Sequence, residues 1–169
     1  MRFVEGVVEI GDENGFSDVE SFVSTLEAVS ETHDVTVQAF DARYVVSRRH
    51  LERAVAVADR ERERGGGIVR ERAVEILLYA AGRRQITDAL EMGVGDGTTP
   101  VVVLVDGAGD ETAAAAAVEE LVGPAETLGK YDESLVCAFF GIGRREREAT
   151  DAGLEALVLE RVALLVVER

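Results

Sequence analysis

The side chains in this sequence best suited to chemistry are its clustered arginines, and their chemistry is holding phosphate rather than breaking bonds. Arg48, Arg49 and His50 follow Ser47, while Arg83, Arg84 and Gln85 follow Gly82, with Tyr79 one helical turn earlier. A guanidinium fork meets phosphate oxygens through two parallel hydrogen bonds. Ser47 reads as a helix N-cap, an end where the helix dipole disfavours cations. Arg43, Arg48, Arg49 and His50 therefore have no cheap structural reason to surround it. An anion would explain them, since free helix amides and guanidiniums would point the same way. Local structure and anion binding both stay open at this point. Tyr79 is either core or a ring on which a base could stack.

Other chemistries find less support. Gly93-Val-Gly-Asp-Gly-Thr-Thr99 looks like a phosphate loop, but such loops run from strand to helix. Here a helix precedes and a strand comes after, so a plain turn is the better reading. His33, His50 and Cys137 are scattered, with no pair at helical ligand spacing. No serine sits in a nucleophile elbow. His33 lies in a turn beside Asp34, and Cys137, among Leu135, Val136, Ala138, Phe139 and Phe140, reads as a buried small hydrophobe. Close carboxylate pairs are expected by chance among 33 acids. No catalytic or metal site is expected, and no cofactor. In Arg60-Glu-Arg-Glu-Arg64 the alternating charges read as a solvated helix end with local ion pairs.

Charge distribution sharpens the arginine reading. Residues 43–84 carry 11 arginines against 6 acids, whereas the segments before and after are strongly acidic and the whole chain is at −15. Lys130 is the only lysine. Acid-rich, lysine-poor composition is what a cytosol full of potassium salt would favour, so the source is expected to be a halophile. At ~1 M salt exposed charge is screened within about 3 Å. Net charge then does not veto nucleic-acid binding, and contacts must be close ones. With 169 residues the chain can bury a core without staples. One cysteine precludes an internal disulfide, and neither a signal peptide nor a bilayer-length apolar run is found, so the expected location is the cytoplasm.

Period and caps define the elements that must position these residues. Arg2–Ile10 and Val35–Phe40 read as strands, and Thr99–Val105 as a strand buried on both faces. Ser17, with Glu20 three residues on, reads as the capping box of a helix through Val19, Phe22, Val23, Leu26 and Val29. Ser47 opens a helix that the triple glycine at 65–67 ends. Helices are then expected over Ile68–Ala80, Arg83–Met92, Asp110–Val122, Asp132–Phe140 and Leu154–Val167. The last is apolar on both sides, which means either a core helix or one with a second face for a partner protein. The expectation is an α+β fold over residues 1–169 as a single domain, with a small mixed or antiparallel sheet packed with several helices.

Three segments together carry a resemblance. Ser47-Arg-Arg-His-Leu51, Glu75-Ile-Leu-Leu-Tyr-Ala-Ala-Gly-Arg-Arg-Gln-Ile-Thr-Asp-Ala-Leu90 and Gly93-Val-Gly-Asp-Gly-Thr98 resemble the small kinase-binding subunit of the KEOPS complex, the PRPK-binding-protein family. Leu157-Val-Leu-Glu-Arg-Val-Ala-Leu-Leu165 is similar to that family's last helix. The resemblance implies a non-catalytic subunit of the assembly that makes threonylcarbamoyladenosine on tRNA. Its implied partners are a kinase-like ATPase subunit and the 3′ CCA end of tRNA, with no membrane and no small-molecule substrate. It implies tRNA contact through Arg48, Arg49, His50, Tyr79, Arg83, Arg84 and Gln85. It implies kinase contact through Leu154, Leu157, Val158 and Leu165. With lysine almost absent, any phosphate contact made by lysine in relatives falls to arginine. Two other classes stand beside this one: a structural kinase regulator that touches no RNA, and, less favoured by the order around the glycine turn, a small nucleotide-binding enzyme.

Overall fold

The valine run folds as the centre of a sheet. In the computed structural model, which describes residues 1–167, β1 (Arg2–Ile10), β2 (Thr36–Asp41), β3 (Gly97–Asp106) and β4 (Gly123–Pro124) form an antiparallel sheet ordered β2-β3-β1-β4. Val101 through Val105 are wholly buried, as a continuous apolar run rich in valine requires. Pro100 can occupy this central strand because β2 pairing begins only at Val101. Its missing N–H therefore leaves no ladder bond broken on that side. The short β4 has no sequence signal, since two residues carry no periodicity. It lies so close to β1 that a Cβ on Gly6 would stand 2.6 Å from the Gly123 carbonyl oxygen.

The chain folds as two compact units. The first, Met1–Ala42 with Gly93–Thr127, holds the sheet and two helices, α1 (Val19–His33) and α5 (Glu111–Glu119). Phe22, Leu26, Ala114 and Val118 pack against Val4, Val8, Val103 and Val105 from the same face. The cap of α1 is Asp18, whose carboxylate accepts from the Ser21 N–H at 2.7 Å, one residue beyond the expected Ser17. Thr127 closes the unit, its hydroxyl donating to the Val101 carbonyl and its N–H to Glu5.

The second unit, Arg43–Met92 with Leu128–Arg169, is helical in the residues described. It contains α2 (Arg48–Glu63), α3 (Arg72–Ala81), α4 (Ile86–Ala89), α6 (Glu133–Phe140), α7 (Arg144–Glu148) and α8 (Leu154–Val167). Helices α2, α3 and α8 pack on one another. A bidentate pair, Arg72 to Asp59 at 2.8 Å on both arms, fastens α3 to α2. Helix α3 starts four residues later than the apolar period suggests. The reason is Glu75, whose buried carboxylate accepts the N–H of Ile68 at 2.8 and 3.0 Å and of Val69 at 2.8 Å. Those amides are thereby drawn into a loop. Arg62 holds the loop's opposite side, donating to the carbonyls of Val69 and Arg70. The expectation of a merely solvated Arg60–Arg64 run is corrected here for Arg62, which is a loop clamp.

Candidate nucleic-acid interface

The Ser47 cap is as expected, its hydroxyl accepting from the His50 N–H at 3.2 Å. In the first turn of α2 the two arginines part from the histidine. Arg48 and Arg49 point outward, 60 and 68 % exposed, and pair with Glu52 at 3.2 Å and Glu155 at 3.1 Å. Such exposed pairs are weak, roughly 0 to 1 kcal/mol, so a phosphate could displace either carboxylate. His50 turns inward and is fully buried, which removes it from any surface. Its Nε2–H donates to the Ala80 carbonyl at 2.8 Å, and its Nδ1 accepts from the Val46 N–H at 3.3 Å. Burial pushes its pKa down to about 4, against weaker opposing effects of the Ala80 bond and the Glu155 charge. A neutral ring with both nitrogens engaged joins the start of α2 to the end of α3 and leaves neither nitrogen open at the surface.

At the end of α3, Gly82 takes the left-handed conformation (φ 61°) and the chain turns sharply. Tyr79, one turn before, is wholly buried, so the base-stacking reading is replaced by the core one. Arg83 folds back. Its Nη2 donates to the Phe139 carbonyl and its guanidinium stands 4.6 Å from the Phe139 ring centre. Arg161 completes the arrangement from α8, donating to the Phe140 carbonyl at 3.0 Å, the Gly141 carbonyl at 3.2 Å and Glu146 at 2.6 Å. Two cations thus cap the carboxyl end of α6, where the helix dipole favours them. Between them lies a cleft of about 260 Å³, bordered by Gly82, Arg83, Phe140 and Arg161. Arg161 carries no sequence signal for this role, because nothing in its apolar neighbourhood marks a cap.

Beyond Arg83 the surface changes character. Arg84 and Gln85 are exposed, followed by Ile86 at 43 % and Leu90 at 55 % exposure. The expected Arg83–Met92 helix is shorter, beginning at Ile86 and passing into a 3-10 turn at Leu90–Met92. Ile86 and Leu90 have core spacing in sequence, yet they lie outside beside a guanidinium and an amide. Arg48, Arg49, Arg84 and Gln85 are therefore the exposed members of the expected RNA set.

The expected kinase set is placed inward. Leu154, Leu157, Val158 and Leu165 are buried, at most 6 % exposed, because this is the stripe of α8 that packs within its own unit. The opposite stripe runs through Ala156, Leu159, Ala163 and Val166, exposed or half-buried. Cys137 is half-buried rather than enclosed, with Arg147 Nη1 3.9 Å from its sulfur. Among the described residues no three of His, Cys, Asp and Glu are grouped to hold a metal. No helix among them is long and apolar enough to cross a membrane.

The α+β fold thus presents exposed guanidiniums at Arg48, Arg49 and Arg84. A protein-family model described as Kinase binding protein CGI-121 matches residues 16–165, and the chain belongs to that family. No curated protein matches it.

Proposed function

We propose that the protein is the non-catalytic, kinase-binding subunit of the KEOPS assembly, and that it brings tRNA to the kinase-like ATPase subunit by holding the 3′ CCA end. The observation that carries the RNA half is the exposure of Arg84, Gln85, Ile86 and Leu90. It sets a guanidinium and an amide beside two outward apolar side chains. Single-stranded bases have apolar faces and polar edges, and this surface offers a partner for each. Arg48 and Arg49 add phosphate contacts, while Arg83 acts by shaping the turn. The test is tRNA binding in molar potassium chloride, with and without CCA. Wild type is expected to favour the tailed tRNA, and Arg84→Ala to lose that preference by roughly tenfold while melting normally. Equal binding of both tRNAs by wild type would refute tail recognition.

For the kinase half, the family's defining partner needs an apolar surface, and the outer stripe of α8 supplies one. A bulky charge in its centre leaves the monomer intact, since Ala163 is exposed. Ala163→Arg is expected to abolish co-purification with the kinase-like subunit, and Ala163→Ser to retain it. Retention by the arginine variant would move the docking surface elsewhere. A purely structural regulator is the second reading, favoured by the carboxylate partners that Arg48 and Arg49 already have. Its signature is kinase binding with no measurable tRNA affinity.

A further inference from the structure

Helix α2 carries a feature that tail recognition uses only at its first turn. Arg49, Arg53 and Arg60 stand at i, i+4 and i+11, so at 100° per residue they fall within about 40° of one another on the helix. Arg64, the C-cap residue, stands four positions after Arg60. With a rise of 1.5 Å per residue, the row from Arg49 to Arg64 is about 22 Å long. All four side chains are exposed, Arg49 and Arg64 both at 68 %. Arg49 pairs with Glu155 at 3.1 Å, a weak exposed pair, and the acids of α2 itself are mostly engaged off the row. Asp59 is held by Arg72, Glu52 pairs with Arg48, and Glu61 is buried, 3.7 Å from Arg64. Only Glu63 remains on the outer flank. The far end is also fixed in space, because Glu75 and Arg62 pin the loop that brings exposed Arg70 around after Arg64.

We infer that this row is a track for the phosphate backbone of double-stranded RNA, extending the tRNA surface from the single-stranded tail onto the stem. The inference rests on the proposed tRNA role and adds a second, sequence-independent site to it. The row has no aromatic or large apolar anchor, only Ala56 among its exposed members. A protein partner held tightly would require such an anchor at its centre. Regularly placed guanidiniums without one suit a repeating charge instead. In a chain of net charge −15, cations aligned on one face give a polyanion a line of approach.

The experiment measures full-length protein against three RNAs over a potassium chloride series: a tRNA with CCA, the same tRNA without it, and a blunt RNA duplex. Arg53→Ala/Arg60→Ala is compared with wild type, Arg53→Lys/Arg60→Lys and Arg84→Ala. The alanine pair should weaken all three complexes by a similar factor, roughly five- to tenfold, and reduce the log–log salt slope by about 2. The lysine pair should keep the slope. Arg84→Ala should leave duplex binding unchanged. If wild type binds only the tailed tRNA and the alanine pair matches it, the track is overturned while tail recognition stands. If wild type binds no RNA, both fall. If the duplex binds but the alanine pair loses nothing, the phosphates sit elsewhere and the track is again overturned.

Discussion

Replacing Glu75 with alanine is expected to lower the unfolding free energy by about 3–5 kcal/mol, more than any surface change in this protein. Hydrogen bonds to a charged group contribute roughly 1.5–3 kcal/mol each, and here two backbone amides depend on one carboxylate. Glu75 is fully buried in the first turns of α3, an end whose dipole favours an anion. Truncation would leave the Ile68 and Val69 amides without acceptors and open a cavity beneath the glycine loop. Glu75→Gln keeps the volume and one acceptor but turns an NH₂ toward a donor, so about 2 kcal/mol is expected. Denaturant unfolding of the three proteins decides the matter. A loss under about 1 kcal/mol for the alanine variant, less than one such bond contributes, would mean that the loop does not depend on this carboxylate.

Acid is expected to destabilise the protein through His50, over a window its environment defines. The unfolded side chain titrates near 6.5 and the folded one at about 4. Above 6.5 both states hold the ring neutral, and the interactions of the neutral ring count in full. Between 6.5 and about 4 the unfolded chain binds a proton that the folded chain refuses, so stability falls as pH falls. The complete loss is roughly 3 kcal/mol at about 1.36 kcal/mol per pH unit. The geometry explains the refusal: protonating Nδ1 would set two N–H groups against each other at Val46, inside a site closed by the edge of Phe140. His50→Gln can accept from Val46 and donate to Ala80 without titrating. It should cost about 1–2 kcal/mol near neutral pH and show a shallower decline on acidification. Equal declines in both proteins would assign acid sensitivity to other groups.

Much of the fold is legible in the sequence because its signals are local. Ser47 caps through its own hydroxyl, Gly82 ends α3 because glycine accepts a positive φ, and an unbroken apolar run from Val101 to Val105 has to be an interior strand. The misreadings share another cause, namely contacts between residues distant in the chain. Whether a polar side chain after a cap points in or out depends on what meets it. Arg49 found Glu155 at the surface, while His50 found the Ala80 carbonyl inside. In the same way, helical spacing identifies two stripes on α8 but not which one the unit covers. Leu154, Leu157, Val158 and Leu165 form the more apolar stripe, and that is why they are buried. Ile86 and Leu90 show the converse, core spacing at an outer position.

The guanidinium of Arg161 reaches from the middle of α8 to two carbonyls at the end of α6, and Gly82 sits so near that a Cβ there would be 3.3 Å from the Arg161 carbonyl. In the proposed docking on the kinase-like subunit, a helix tied at mid-length would enter the complex already ordered. Its conformational entropy was surrendered when the chain folded, and docking need not surrender it again. Modest apolar area along Ala156, Leu159, Ala163 and Val166 can then yield an affinity that a loosely held helix of the same composition would not reach. Calorimetry would register this as a heat-capacity change matched to the surface buried, with no added contribution from folding on contact.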